Sequence, residues 1–200
     1  MTRRRPTGTR SVAAVLAVLL AASGPAAAER ADFVLDPEHS FVTFEVLHFG
    51  TSTIRGRFGP LSGSVSLDPA RGIGEVDVRI DTAAVASGIP VFDARLRAAD
   101  LLACTAYPEA YFVARRVRFD REGRPAEIRG EFTLRGVSQP LTLRTDRYRC
   151  RDDRGRSICG GDFEGEIRRS DFGMSFGLPF VADRVRLLVQ VEAFRRPASS

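Results

Sequence analysis

The stretch "DRVRLLVQVEA", residues 183–193, decides the fold. Val185, Leu187, Val189 and Val191 share one parity, against Arg184, Arg186, Gln190 and Glu192 on the other. Successive side chains of a strand point to opposite faces, so this is a strand with one buried face and one wet face. The same period recurs upstream. "FVTFEVLHF" (41–49) aligns Val42, Phe44, Val46 and His48, and "SGSVSLD" (62–68) aligns Val65 and Leu67. "EVDVRID" (75–81) aligns Val76, Val78 and Ile80, and "EIRGEFTLRG" (127–136) aligns Ile128, Phe132 and Leu134. Turn chemistry separates them at "DREGRP" (120–125) and "RDDRGR" (151–156). Many short alternating segments between turns predict an all-β, antiparallel domain. "YFVARRVRF" (111–119) alternates poorly, as a bulge or an edge position would explain. In "VFDARLRAADLLAC" (91–104), Phe92, Leu96, Ala99 and Ala103 recur at helical spacing, and Asp93 is placed to cap the start.

The chain opens with Arg3, Arg4 and Arg5, runs through an apolar stretch from Val12 to Ala22, and reaches Ala26-Ala27-Ala28 before Glu29. That pattern reads as a secretory signal peptide over residues 1–28, which implies a periplasmic destination for a domain over residues 29–196. The apolar stretch is shorter than the roughly 20 residues of a membrane span, so a spanning protein is not expected. The first cysteine is Cys104, which excludes a lipid anchor at the cleavage site. Residues 1–28 hold four arginines and no acids, so the formal charge of +5 falls to +1 beyond them. A nearly neutral domain carries no electrostatic footprint for nucleic acid.

An exported chain with three cysteines invites pairing. Cys150 and Cys159 flank a hairpin tip, and a bond there would staple neighbouring strands. Cys104, after "ADLLA", reads as a small buried hydrophobe.

Taken in order, "HSFVTFEVLHFG", "IRGRFGPLSG", "DARLRAADLL" with Tyr107-Pro108, "RGEFTLRGVSQPLTL", "RRSDFGM" and "VADRVRL" resemble the YceI-like family of exported lipid-binding proteins. The resemblance covers nearly all of the chain beyond residue 28. It implies a lipocalin-like antiparallel β-barrel of about eight strands with one short helix, holding a polyisoprenoid or similar amphiphile. The Cys150/Cys159 pair departs from the general pattern.

A barrel of that strand number is either filled by side chains or holds one slender ligand. The inward faces mix Phe44 and Phe132 with Gly63 and Gly130, and tryptophan is absent, which favours a tunnel. Its candidate lining is Val42, Phe44, Val46, His48, Val78, Ile80, Phe132, Leu134, Ile167 and Leu187. Arg169 continues the inward parity of Phe163, Gly165 and Ile167 at a strand's end. A buried arginine needs a partner: either an ion pair with Asp171, Asp183, Asp93 or Glu45, or an oxygen on a ligand's head. The following "DFGMSFGLPFVAD" (171–183) is too apolar for an ordinary surface loop, and serves either as a plug or as a mobile portal.

His39 and His48, nine residues apart, would lie about 30 Å apart on opposite faces of an unbroken strand, so no shared metal site is expected. His48 is placed to hydrogen-bond a ligand head or to serve structurally, and His39 to fix the strand's entry. With the signal and the strand pattern, the family resemblance implies a non-enzymatic carrier of an isoprenoid lipid or quinone-like amphiphile, without cofactor. Two other classes compete. A hydrolase acting on a lipid head would need a base, yet Ser170 has only arginines and Asp171 beside it. A ligand-free interaction module would require a fully packed barrel. Nothing in the pattern excludes a homodimer.

Overall fold

The computed structural model describes residues 30–197, so the signal-like stretch 1–28 lies outside the described residues. Ten strands follow the alternating segments: β1 (Ala31–Leu35), β2 (Phe41–His48), β3 (Ser52–Phe58), β4 (Leu61–Asp68) and β5 (Ile73–Asp81) come first. After helix α1 (Pro90–Leu96) come β6 (Glu109–Phe119), β7 (Pro125–Leu134), β8 (Val137–Asp153), β9 (Arg156–Arg168) and β10 (Val181–Arg195). Every neighbouring pair is antiparallel.

The ten segments make an eight-stranded barrel. β1 and β2 occupy successive lengths of the long β10, with Leu35 opposite Ala193 and then Val42 opposite Val189. β3 and β4 likewise run one after the other, joined at Gly59-Pro60, against β2 and then β1. The circuit β1-β4-β5-β6-β7-β8-β9-β10 closes where β10 pairs with β1. Closure removes the exposed edges that an open antiparallel sheet would leave.

Registers assign the connections to two ends. The β4–β5, β6–β7 and β8–β9 turns lie at the hairpin end. The β2–β3 and β7–β8 turns, the connection 82–108 and the loop 169–180 lie at the opposite loop end. There β3 leaves β5, and its free side is met by one bridge from Arg57 to Ala86. The barrel thus flares, and the 82–108 segment with α1 covers the flare.

The weak alternation of residues 111–119 comes from a bulge. The β6–β7 register shifts between Ala114 and Arg116, so the buried set runs Phe112, Ala114, Val117. β6 is paired on both sides, by β5 and β7, and is not an edge. The helix is shorter than its spacing predicts, because it ends at Leu96 and Ala103 takes a positive φ of 51° in the turns beyond. Asp93 does not cap it: Ile89 holds the N-cap position, and the Asp93 carboxylate accepts from the Ser87 amide at 2.6 Å and the Ser87 hydroxyl. The Cys150–Cys159 disulfide is formed between directly opposed residues of β8 and β9. Cys104 is buried, and burial pushes its thiol up, so it stays protonated.

Candidate functional site

The inward parities of the strands surround a cavity of about 320 Å³ whose lining is almost entirely apolar. Val42, Phe44, Val46, His48, Val78, Ile80, Phe132, Leu134, Ile167 and Leu187 all line it. Sequence patterning left out Phe33 and Leu35 on the short β1, Phe112 before the bulge, and Leu141 and Leu143 on β8. The i, i+2 spacing of "LTL" was the available signal for the last two. Phe92, Leu96 and Leu102 from the helical segment and Met174 and Phe176 from the loop complete the lining at the loop end.

The inward glycines do not create the bore. A Cβ on Gly130 would lie 2.5 Å from the Val113 carbonyl oxygen and 2.7 Å from the Phe112 ring, so that ring already occupies the space. Gly63, at φ 144°, lets β4 approach the Asp77 carbonyl more closely than any side chain would permit. The void instead lies along the axis, where facing walls do not meet. Phe44 and Phe58 pack on each other at one wall, 5.0 Å between centroids, and Phe132 meets Phe172 edge-on at 5.6 Å. Burial pushes the Tyr148 phenol above its ordinary value, so this group also stays neutral.

Arg169 is buried, yet no carboxylate pairs with it among the described residues. The expected ion pair is replaced by a cage of backbone oxygens. Nε donates to Ala182 O at 2.9 Å, Nη1 to Met174 O and Phe176 O at 2.8 Å each, and Nη2 to Val181 O at 2.8 Å. Asp183, the nearest candidate partner, turns away to accept from the Ser170 amide at 2.8 Å and hydroxyl at 2.7 Å. Burial lowers the Arg169 pKa and Asp183 opposes that. Four of the five N–H groups of the guanidinium are committed to the loop backbone, which leaves little of the fork for a ligand head.

The cause is local. An irregular loop beside an apolar bore has carbonyls that water does not reach, and a buried, unpaired carbonyl is costly. Arginine satisfies several at once. Two more arginines act similarly nearby: Arg97 donates to Ala83 O and Val85 O, and Arg135 to Gly173 O and Ala99 O. They tie the helical segment to the flare and to the loop.

The 171–183 loop divides its side chains. Phe172 and Met174 are buried and plug inward, whereas Phe176 and Phe180 are exposed. Arg95, fixed to Asp100 by two contacts of 2.6 Å, lies over the Phe176 ring at 4.1 Å. His48 meets the Phe49 ring edge-on at 4.5 Å beside the opening. His39 sits in the β1–β2 turn, not in a strand, and its Nδ1 lies 2.7 Å from Asp36 Oδ2. Tertiary structure also brings Glu192 to this pair, three ligand-type groups within 4.8 Å that the two-histidine spacing could not anticipate. The Asp36–His39 ion pair accounts for the first two. Ser170 Oγ donates to Asp183, with no histidine at the group that a serine nucleophile would need.

A closed antiparallel barrel with an apolar bore, one end hairpinned and the other covered by a helix and an aromatic loop, defines a lipocalin-like binding fold. Residues 33–193 match the YceI-like domain, and the chain belongs to that family. It is 33% identical over 184 residues to Protein YceI of Shigella flexneri, covering 90% of this chain and 94% of that protein. The Campylobacter jejuni YceI crystal structure superposes with a TM-score of 0.63 at 25% identity, over 76% of this chain and 90% of that one. A polyisoprenoid binding domain from Saccharophagus degradans, implicated in plant cell wall breakdown, shares the fold at a TM-score of 0.58 and 20% identity, over 82% and 98%.

Proposed function

We propose that this chain is an exported, non-enzymatic carrier that holds one isoprenoid lipid or quinone-like amphiphile, its tail along the barrel axis and its head at the loop end. The carrying observation is the axial void of about 320 Å³ with its apolar wall. At the roughly 30 Å³ that one packed water-sized group takes up, it has room for at least about ten of them. A methylene is about that size, so the void suits a long, slim tail. Each buried methylene contributes about 0.8 kcal/mol before ordering costs. The ligand named for the Saccharophagus degradans domain supports the isoprenoid class. Val42, Phe44, Val46, Val78, Ile80, Phe132, Leu134, Ile167 and Leu187 would contact the tail, and His48 with Arg95 would face the head. Export to the periplasm is supported by the signal-like stretch 1–28 and by the disulfide. Among the described residues no helix is long and apolar enough to cross a membrane.

The test is solvent extraction and mass spectrometry of protein purified from its native host. One amphiphile per chain is expected. Absence of any such lipid, together with no uptake of added prenols, would end the carrier assignment.

A further inference from the structure

Apart from Tyr111 and Val113 on the outer face of β6, the exposed large apolar side chains of the barrel are concentrated at one end. Phe49 (59% exposed), Phe180 (62%) and Val91 (78%), with Leu47, Ile89 and Phe176, all belong to loop-end segments. At the hairpin end, among the described residues, the only exposed large hydrophobic is Ile73. Phe49 and Phe180 are in direct contact: the Phe49 amide donates to Phe180 O at 2.7 Å and their rings stack at 5.5 Å, while one bridge from Arg57 to Ala86 brings the segment leading to Ile89 and Val91 beside β3.

Charge divides the ends in the same way. Residues 46–54, 84–92 and 172–182 contain no Asp, Glu, Arg or Lys, whereas the hairpin-end turns are "DREGRP" and "RDDRGR". One level back from this rim, the charges are paired: Arg55 with Glu45, Arg168 with Asp183, Arg184 with Glu166. The charges that do reach this end are occupied: Arg95, over the Phe176 ring, pairs with Asp100, and Arg97 and Arg135 donate to backbone carbonyls, so the rim suits an apolar layer of no net charge better than a charged surface. His48, Phe176 and Val181 both line the bore and border the patch, so the patch surrounds the opening.

From these observations we infer that the loop end docks on the surface of a lipid bilayer, seating Phe49 and Phe180 among the acyl chains so that the bore opens against hydrocarbon. The inference rests on the carrier assignment above and adds its partner. Apolar side chains of interfacial elements sit about 5–10 Å into the headgroup–acyl boundary, deep enough to admit a tail without exposing it to water. Phosphatidylcholine vesicles, which carry no net charge, are the matching probe.

The chain contains no tryptophan, so one introduced indole reports without background. Phe180→Trp places it on the rim and Ile73→Trp at the hairpin end. With vesicles carrying brominated acyl chains, Phe180→Trp is expected to lose about half its emission and shift to the blue, given an immersion of about 5–10 Å, and Ile73→Trp to stay unchanged. Unchanged Phe180→Trp emission, or equal quenching of both variants, overturns docking and leaves the rim to an apolar protein partner. Uptake of dansylated farnesol without vesicles, measured on the same variants, separates the two ideas. Uptake without quenching sinks docking alone, and quenching without uptake sinks the carrier assignment alone.

Discussion

Replacing Arg169 with methionine keeps an apolar stem in place and removes every donor, which leaves the carbonyls of Met174, Phe176, Val181 and Ala182 without their partner. Hydrogen bonds to a charged group contribute about 1.5–3 kcal/mol each, so four set a ceiling of about 6–12 kcal/mol. The ceiling is not reached, because the guanidinium no longer has to be desolvated and water can enter a loosened loop. A net loss of about 3–5 kcal/mol is expected, a large share of a domain's usual stability. With a urea dependence of about 2 kcal/mol per molar, the unfolding midpoint falls by about 2 M. Arg169→Lys keeps the charge but has three donors on a point, cannot span four carbonyls, and should fall between. Asp183→Asn weakens the clamp on Ser170 and the exposed pair with Arg168, and should cost about 1 kcal/mol. Hydrogen exchange should locate the loss in residues 173–182. A loss below about 1 kcal/mol for Arg169→Met, or an equal loss for Asp183→Asn, would refute the carbonyl cage and restore an ion pair.

Affinity for a series of straight-chain alcohols should rise about fourfold per added methylene until the bore is full and then level off; fluorescence displacement measures the series, and no length dependence would contradict an axial tail. Reduction of Cys150–Cys159, or its replacement by serines, closes a loop of nine-residue separation less tightly and should cost about 2.5–3 kcal/mol in thermal unfolding while leaving lumen binding intact. The hydrogen bond and charge of Asp36 raise the His39 pKa, while burial pushes Asp36 up but is outweighed by His39 and the Glu38 amide, which hold it low. His39's contribution is therefore complete below its ordinary value of about 6.5 and lost as pH rises through its raised value, whereas that of Asp36 is present above its ordinary value of about 3.8 and lost on acidification. Titration of the His39 ring by NMR should show a raised midpoint that Asp36→Asn returns toward the ordinary value.

Parity along the strands made the barrel wall legible from the residues themselves, because a side chain's face depends only on whether its position is odd or even. Where a bulge changed the count, as between Ala114 and Arg116, the pattern blurred and Phe112 went unread. The helix was legible as a helix, but not its end. Spacing carried no trace of the turns after Leu96, which are held by Arg97 and Arg135 reaching residues 12 to 38 positions away. That Arg169 points inward followed from the sequence. That it meets carbonyls instead of an acid did not, since its partners are backbone atoms with no side-chain identity to read. The bore itself belongs to the tertiary structure. Alternation says which groups face inward, while strand tilt and stagger set how far apart the facing walls stand, and no local pattern encodes that distance.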